Sequence, residues 1–200
     1  MILFGASGHA KVILDILEKL DIEVPFLVDH NPKIKDLQGY EVIHEGDSRL
    51  IIDDNVIISI GSNAVRKAMA NKLEYEFGWA IHPSVIMGDD VTIGAGSVMM
   101  AGAVINSSSS IGNHNIINTS VSIDHDCHLE DFVHVSPNAT LCGSIKVGEG
   151  THVGAGAIII PNLKIGKWVT IGAGAVIIED IPDHAVVVGN PGRIIKYNER

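Results

Sequence analysis

The chain has 200 residues and a mass of 21.3 kDa, enough for one large or two small domains and too little for a multidomain machine. Hydrophobic residues make up 46% and charged ones 19%, which excludes a disordered chain, and a net charge of −10 excludes a nucleic-acid surface, which needs clustered Lys and Arg. Aromatics are only 4%, whereas Ile and Val together number 50, so the core must be aliphatic and β-branched, a composition that favours strands.

In chain order, Ile2–Phe4 is a short apolar strand, 8–20 a helix with Val12, Ile16 and Leu20 at helical spacing, and Phe26–Val28 a second strand. Val42–Ile43 is a weaker strand, Val56–Ile60 another, and 62–76 a helix carrying Val65, Met69 and Leu73 on one face. This alternation predicts a small parallel α/β sheet, a Rossmann-like domain over 1–78.

The first strand runs into Gly5-Ala-Ser7-Gly8-His9-Ala-Lys11, a glycine turn opening a helix, where backbone amides and the helix dipole attract phosphate. The spacing is not the full GxGxxG, so a dehydrogenase is poorly supported; the other reading is a tight connection. Asp29 ends the second strand 21 residues after Gly8, where dinucleotide folds place an acid against a ribose. Gly61-Ser62-Asn63 follows the last strand, with Arg66 and Lys67 on the next helix; Lys67 reads as part of a solvated face. Gly5, Ser7, Gly8, His9, Asp29, Ser62, Asn63 and Arg66 thus form the candidate substrate-binding set at the edge where such sheets hold ligands.

From Ile81 onward every sixth residue is Ile, Met, Leu or Val, through Ile177, for 17 consecutive hexads. The fifth position of the hexad carries small or aliphatic side chains such as Val85, Ala103, Val121, Cys127 and Ala157, with Asn115 the polar exception. The second position holds Gly88, Gly94, Gly112, Gly148, Gly154, Gly166 and Gly172, or Asn and Asp, residues that tolerate positive φ, and is expected to be the turn. This pattern resembles the hexapeptide-repeat family, whose fold is a left-handed parallel β-helix with three hexads per triangular coil. The domain 79–200 is read as that β-helix, its tail VVVGNPGRIIK supplying a strand and a turn that close the last coil.

Between Ile117 and Cys142 the hexads lose their glycines and gain polar groups, Asp124-His125-Asp126-Cys127-His128 and then Phe132-Val133-His134-Val135-Ser136. The run NTSxxIxHxCxLxxFxHVSxxA from Asn118 to Ala139, with GASGH in front and IKVG behind, resembles the bacterial sugar-nucleotide acetyltransferases, which include the bacillosamine-pathway N-acetyltransferases and the sialic acid O-acetyltransferases. The resemblance implies acetyl-CoA along the β-helix, a UDP- or GDP-linked amino sugar on the N-terminal domain, and a site between neighbouring subunits of a homotrimer.

The family's catalytic histidine falls on His125 and its acidic partner on Asp126, where relatives often carry Glu. A histidine there suits an amine or hydroxyl that must lose a proton as it attacks a thioester, and a carboxylate beside it can hold the ring. His134 matches a second family histidine near the pantetheine, and Gly143 a glycine whose amide faces the thioester oxygen. Lys164, Lys167, Arg193 and Lys196 are the cations offered to the CoA phosphates and adenine. The first reading is N-acetylation of a UDP-4-amino-deoxy-sugar in glycan synthesis, by direct attack on the thioester. Alternatives are O-acetylation of a sialic acid or similar sugar, or a non-catalytic nucleotide-sugar scaffold. His125, His128 and His134 also spell a trio competent for zinc, but the resemblance points away from a metal. Cys127 and Cys142 lack metal-type spacing, no apolar stretch reaches the length of a membrane span, and no basic region precedes the first apolar residues, so a cytoplasmic protein is expected.

Overall fold

The computed structural model describes residues 1–47 and 50–198. Its N-terminal part runs β1 (Ile2–Phe4), α1 (Gly8–Lys19), β2 (Leu27–Asp29), β3 (Asp36–Leu37), β4 (Tyr40–His44), β5 (Val56–Ile58) and α2 (Asn63–Ala70). The sheet order is β3-β4-β2-β1-β5, parallel except for the β3–β4 hairpin. β1, flanked by β2 and β5, is buried along its whole length, as a strand covered on both faces must be. The chain moves outward from β1 to β4 and returns to β5 on the other side of β1. The carboxyl ends of β1 and β5 therefore flank a topological switch point.

Both helices depart from the expected pattern. In α1 the buried residues are Ala10, Ile13, Leu14, Ile16 and Leu17, while Val12 and Leu20 are exposed, because the i, i+3, i+4, i+7 stripe from Ala10 faces the sheet and the coils. Helix α2 is shorter than 62–76 and buries the polar Asn63 and Arg66 rather than Val65, because its polar face packs on the coils and bonds there. Met69 and Leu73 pack against Ile2, Phe4, Val28 and Val56 as the apolar face predicts, while Val65 is exposed, and all three also line a cleft.

Seventeen two-residue strands, β6 (Ala80–Ile81) through β22 (Val176–Ile177), build a left-handed β-helix of three parallel sheets. Partners are eighteen residues apart, as in Ser122 with Thr140 and Ile123 with Leu141. Face one begins at Ala80–Ile81, face two at Ile86–Met87 and face three at Thr92–Ile93. The hexad's first column and most of its fifth form a continuous aliphatic core from Met99 to Val187. At the open first coil the same column is less covered, and Met87 is 44% exposed.

The glycine column has a different cause from the one expected. Positive φ falls on the fourth position, at Asp90, His114, Asp126, Phe132, Gly150 and Trp168 among others. The second position is glycine because the next coil passes too close for a side chain: a Cβ on Gly148 would sit 2.6 Å from the Gly166 carbonyl carbon, and one on Gly94 2.5 Å from the Asn113 nitrogen. After the last coil, β23 (Ala185–Val188) extends face one in parallel, the strand that the tail pattern predicts, and beyond the turn a second strand that the pattern does not predict, β24 (Arg193–Tyr197), folds back antiparallel across it.

The two columns respond differently to substitution. Gly148→Ala forces coils apart and is expected to cost about 3 kcal/mol, whereas Gly156→Ala, with φ +65 and nothing within 4 Å of the new Cβ, costs about 1–2 kcal/mol of backbone strain. Guanidinium unfolding measures both, and a larger loss at Gly156 than at Gly148 would reverse the assignment.

Candidate active site

The expected site residues fall into separate groups. His125 lies on the corner between face two and face three, in the outward third position of its hexad. Its Nδ1 meets Asp126 Oδ2 at 2.7 Å, and its backbone N–H donates to Asp124 Oδ1 at 2.8 Å. Asp126 adopts φ 58, which turns its carboxylate back beside the ring. The Asp126 hydrogen bond, and after it the charge of Asp124, raise the His125 pKa above its ordinary 6.5. One coil later, Gly143 lies under the imidazole: a Cβ there would sit 2.8 Å from both Cε1 and Nε2. The Gly143 N–H has no hydrogen-bond partner among the described residues, because Cys142 offers no acceptor where Asp124 does.

His134 and His152 point outward from face one and stack at 4.8 Å between ring centroids. Asn118 Nδ2, which has only protons to offer, sits 3.2 Å from His134 Nε2, so that nitrogen accepts and the His134 proton is on Nδ1. Ser136 Oγ lies 2.7 Å from His152 Nε2. His125, His128 and His134 thus leave a corner and two different faces and do not converge as zinc ligands would.

Arg66 belongs to the domain junction rather than to an open substrate surface. It is 1% exposed, and its five N–H groups reach the carbonyls of His114, Ile60, Gly61 and Phe132 and the Asn63 side-chain oxygen. Asn63 in turn donates to the carbonyls of Gly150 and Thr151, so the amide serves the same junction. Lys67 is also drawn in, with Glu149 at 2.6 Å and the Trp168 ring beneath its ammonium. Lys67 is therefore half-buried and paired rather than part of a solvated helix face, and no residue type in the sequence signals the coil-corner carbonyls that hold Arg66.

At the carboxyl edge of the sheet, a cleft of about 370 Å³ is lined by Gly5, Asp29 and Ile60, with Val65, Met69 and Leu73 on one wall and His30, Glu45 and Lys72 at the polar side. Asp29 uses both oxygens to brace the turn, accepting from Ala6 N and Asn31 N at 2.8 Å. Gly5 is needed by the fold, since φ is +111 and a Cβ would sit 2.7 Å from Ile60 Cγ1. Gly8 is not: a Cβ there would meet nothing within 4 Å, which leaves open space over the start of α1. Ser7 and Ser62 precede helices α1 and α2 with no side-chain cap bond, so both helix starts keep free amides. His9 Nε2 is buried without a hydrogen-bond partner among the described residues. A second groove, about 590 Å³, runs between Ser62–Ala64 and His152, Trp168, Thr170, His184 and Asn198.

The expected CoA cations are not one cluster. Lys164 stands on face three in register with Lys146, Lys167 pairs with Glu130 at 3.4 Å, and Arg193 and Lys196 lie on the terminal hairpin. Lys146 was legible from the eighteen-residue register; Glu45, Lys72 and His184 carried no sequence signal.

An α/β domain seated on one face of a left-handed β-helix, with a carboxylate-held histidine on the opposite corner, is the architecture of a hexapeptide-repeat acyltransferase. Residues 1–73 match the PglD N-terminal domain family, and residues 144–179 the bacterial transferase hexapeptide (six repeats) family. Perosamine N-acetyltransferase from Caulobacter crescentus, solved as a histidine-to-asparagine variant with CoA and GDP-perosamine, is 32% identical with a TM-score of 0.92, over 98% of this chain and 96% of that one. The acetyltransferase domain of PglB from Neisseria gonorrhoeae FA1090 is 33% identical with a TM-score of 0.90, over 97% and 98%. UDP-N-acetylbacillosamine N-acetyltransferase of Bacillus subtilis is 40% identical over 108 residues, so the match spans about half of that curated relative, 49%, and 48% of this chain. The chain belongs to the hexapeptide-repeat sugar acetyltransferases, the group that the Asn118–Ala139 motif resembles. No helix among the described residues is long and apolar enough to cross a membrane.

The histidines at the junction set an acid limit on stability. Burial first, then the Arg66 charge, lowers His9 and His114 from 6.5 to about 4; burial, His152 and Arg66 lower His134 to about 3. Unfolded, these rings take protons as the pH falls below about 6.5; folded, they do not until about 4. The unfolded state therefore binds more protons in this window, and stability falls as pH drops through it. The melting temperature should be level above about pH 7 and decline from about 6.5 towards 4.5; no decline would show that the rings are not buried in neutral form.

Proposed function

We propose that this chain is an acetyl-CoA-dependent N-acetyltransferase that acts on the amino group of a nucleotide-linked amino sugar, of the UDP-4-amino-deoxy class, in bacterial glycan synthesis. The observation that carries the reading is the His125–Asp126 couple over Gly143. With Nδ1–H given to Asp126, Nε2 of His125 keeps its lone pair facing outward as a general base. The sugar amine attacks the thioester carbonyl, Nε2 takes the proton, and the oxygen that gains charge accepts the free Gly143 N–H. The C–S bond then breaks, the proton passes from Nε2 to the departing sulfur, and the amide and CoA are released.

Support for the substrate comes from the sheet edge, where two uncapped helix starts and the open space over Gly8 suit a pyrophosphate, and the adjoining cleft suits a nucleoside. Acetyl-CoA is assigned to the later coils, with Arg193 and Lys196 of the hairpin available to its phosphates.

The two halves of this site are assigned to neighbouring chains. The α/β domain covers face one and its corner with face three, through α1 on Ala80 and through Arg66 and Asn63, whereas His125 projects from the opposite corner. Beside that corner, face two exposes Ile86 at 64% and Ile158 at 41%, and Ile178 on the corner itself at 46%. A second copy that covers these side chains brings its nucleotide domain to His125, and cyclic closure by three copies leaves no surface unpaired. We assign the working form as a homotrimer on this basis.

His125→Ala is expected to lower turnover by about 10²–10⁴ while CoA binding persists. Asp126→Asn should cost less and move the acid limb of the pH–rate profile to lower pH, since its hydrogen bond is the main cause of the raised His125 pKa. Full activity of His125→Ala at neutral pH would remove it from the mechanism. For the shared site, His125→Ala and Gly8→Val chains, each inactive alone, should regain part of the activity when co-expressed, because mixed trimers pair an intact nucleotide domain with an intact His125. No regain, or light scattering at the 21.3 kDa of one chain, would place the whole site in one subunit.

A further inference from the structure

The third position of each hexad lies at a coil corner, and side chains occupy its N–H in three ways. The residue before it can accept, as Asn118 Oδ1 does from Thr119 N and Asp124 Oδ1 from His125 N, both at 2.8 Å. An acid one coil earlier can accept, as Glu130 Oε2 does from Glu149 N at 3.0 Å. An acid one coil later can accept, as Asp131 Oδ1 does from Asn113 N at 2.7 Å. At Gly143 all three routes are closed. Cys142 precedes it with a thiol, a weak acceptor that makes no bond to Gly143 N among the described residues. One coil earlier, Asp124 Oδ1 is held by Asn106 Nδ2 and His125 N, each at 2.8 Å. One coil later stands Pro161, whose ring carries no acceptor.

The peptide between Cys142 and Gly143 is also aimed. Cys127, buried in the core, donates its S–H to the Cys142 carbonyl at 3.2 Å, as Ser109 Oγ donates to the Asp124 carbonyl one coil earlier at 2.9 Å. A trans peptide points its N–H away from its C=O, so a carbonyl drawn inward turns Gly143 N–H outward, beneath the imidazole. We propose that Cys142 is a positioning residue for the acetyl transfer: in a column where Asn and Asp cap the next N–H, its poorly accepting side chain keeps the Gly143 N–H open for the thioester oxygen, in the direction that Cys127 sets. The role rests on the reading of this chain as an acetyltransferase with His125 as base. A donor already bonded in the resting protein must release that bond before it can take the developing charge, so a cap slows the chemical step and leaves substrate binding in place. The demand is for a missing acceptor rather than for sulfur.

The test compares Cys142→Asn with Cys142→Leu in the full-length protein, two side chains of similar shape of which only the amide can accept. Cys142→Asn should restore the cap that Asn118 makes and, with a UDP-4-amino-deoxy-sugar, turn over about 10–10² times more slowly than Cys142→Leu at similar KM for both substrates; outright loss of an oxyanion donor costs about 10²–10³. Equal turnover in the two variants, or a loss confined to KM, would overturn the proposal. The amide itself is read by NMR. Cys142–Gly143 is the one Cys-Gly pair of the chain, so ¹³C′-cysteine with ¹⁵N-glycine labelling isolates its N–H, and ¹³C′-asparagine does the same for Cys142→Asn. The shift of that proton should change steeply with temperature in the wild type, as an unbonded amide's does, and shallowly in Cys142→Asn. A shallow slope in the wild type sinks the proposal whether or not the variants fold. Absence of acetyl transfer by the wild type would remove the acetyltransferase reading and the role of Cys142 with it, whereas equal transfer by both variants removes the role of Cys142 alone.

Discussion

Eighteen residues close one coil, and every pairing that matters to the site follows from that length. It sets Gly143 under His125, stacks His152 on His134, puts Lys164 beside Lys146, and aligns the carbonyls of His114, Phe132 and Gly150 along one corner. The same closure explains the glycines. Where a coil passes within 2.5–2.6 Å of the place a Cβ would occupy, only glycine fits, and where the corner must turn with positive φ, Asp, Asn, Ser, His or even Phe and Trp are accepted. Phe132 and Trp168 pay for their φ of 59 and 54 with packing, Phe132 stacked on His114 at 5.0 Å and Trp168 lying over Gly150.

The polar exception in the inward columns has its reason at that corner. Asn115 is fully buried, yet its side chain accepts from Val133 N and donates to Glu130 O, while its own N–H goes to Ser97 Oγ. A buried amide satisfied on both sides costs little and leaves the outward carbonyls of the same corner free to take Arg66. The interior ladder and the docked α2 are therefore two sides of one hydrogen-bonded corner.

Electrostatics divides the histidines into two populations. His125 stands in solvent among carboxylates that stabilise its charged form, and the junction rings sit in low dielectric beside a guanidinium that disfavours it. Environments that drive like groups in opposite directions are how one fold assigns proton carriers and neutral binders with a single residue type.

The sequence by itself determined the β-helix, its extent, the inward column and the His125–Asp126 pair, because a strict period survives any detail of packing and adjacent residues need no tertiary information to be neighbours. It also determined the strand-and-helix alternation of the first domain, though not which stripe of each helix is buried. Only the tertiary structure decided that Arg66 and Asn63 rivet the two domains, that Asp29 braces a turn, and that Val65, Met69 and Leu73 line a cleft. The physical reason is that a helix has two faces to bury once a second domain packs on it, and hydrophobic periodicity reports only the apolar one. A buried arginine satisfied by backbone carbonyls leaves no trace in the sequence, since every residue carries the carbonyl it needs.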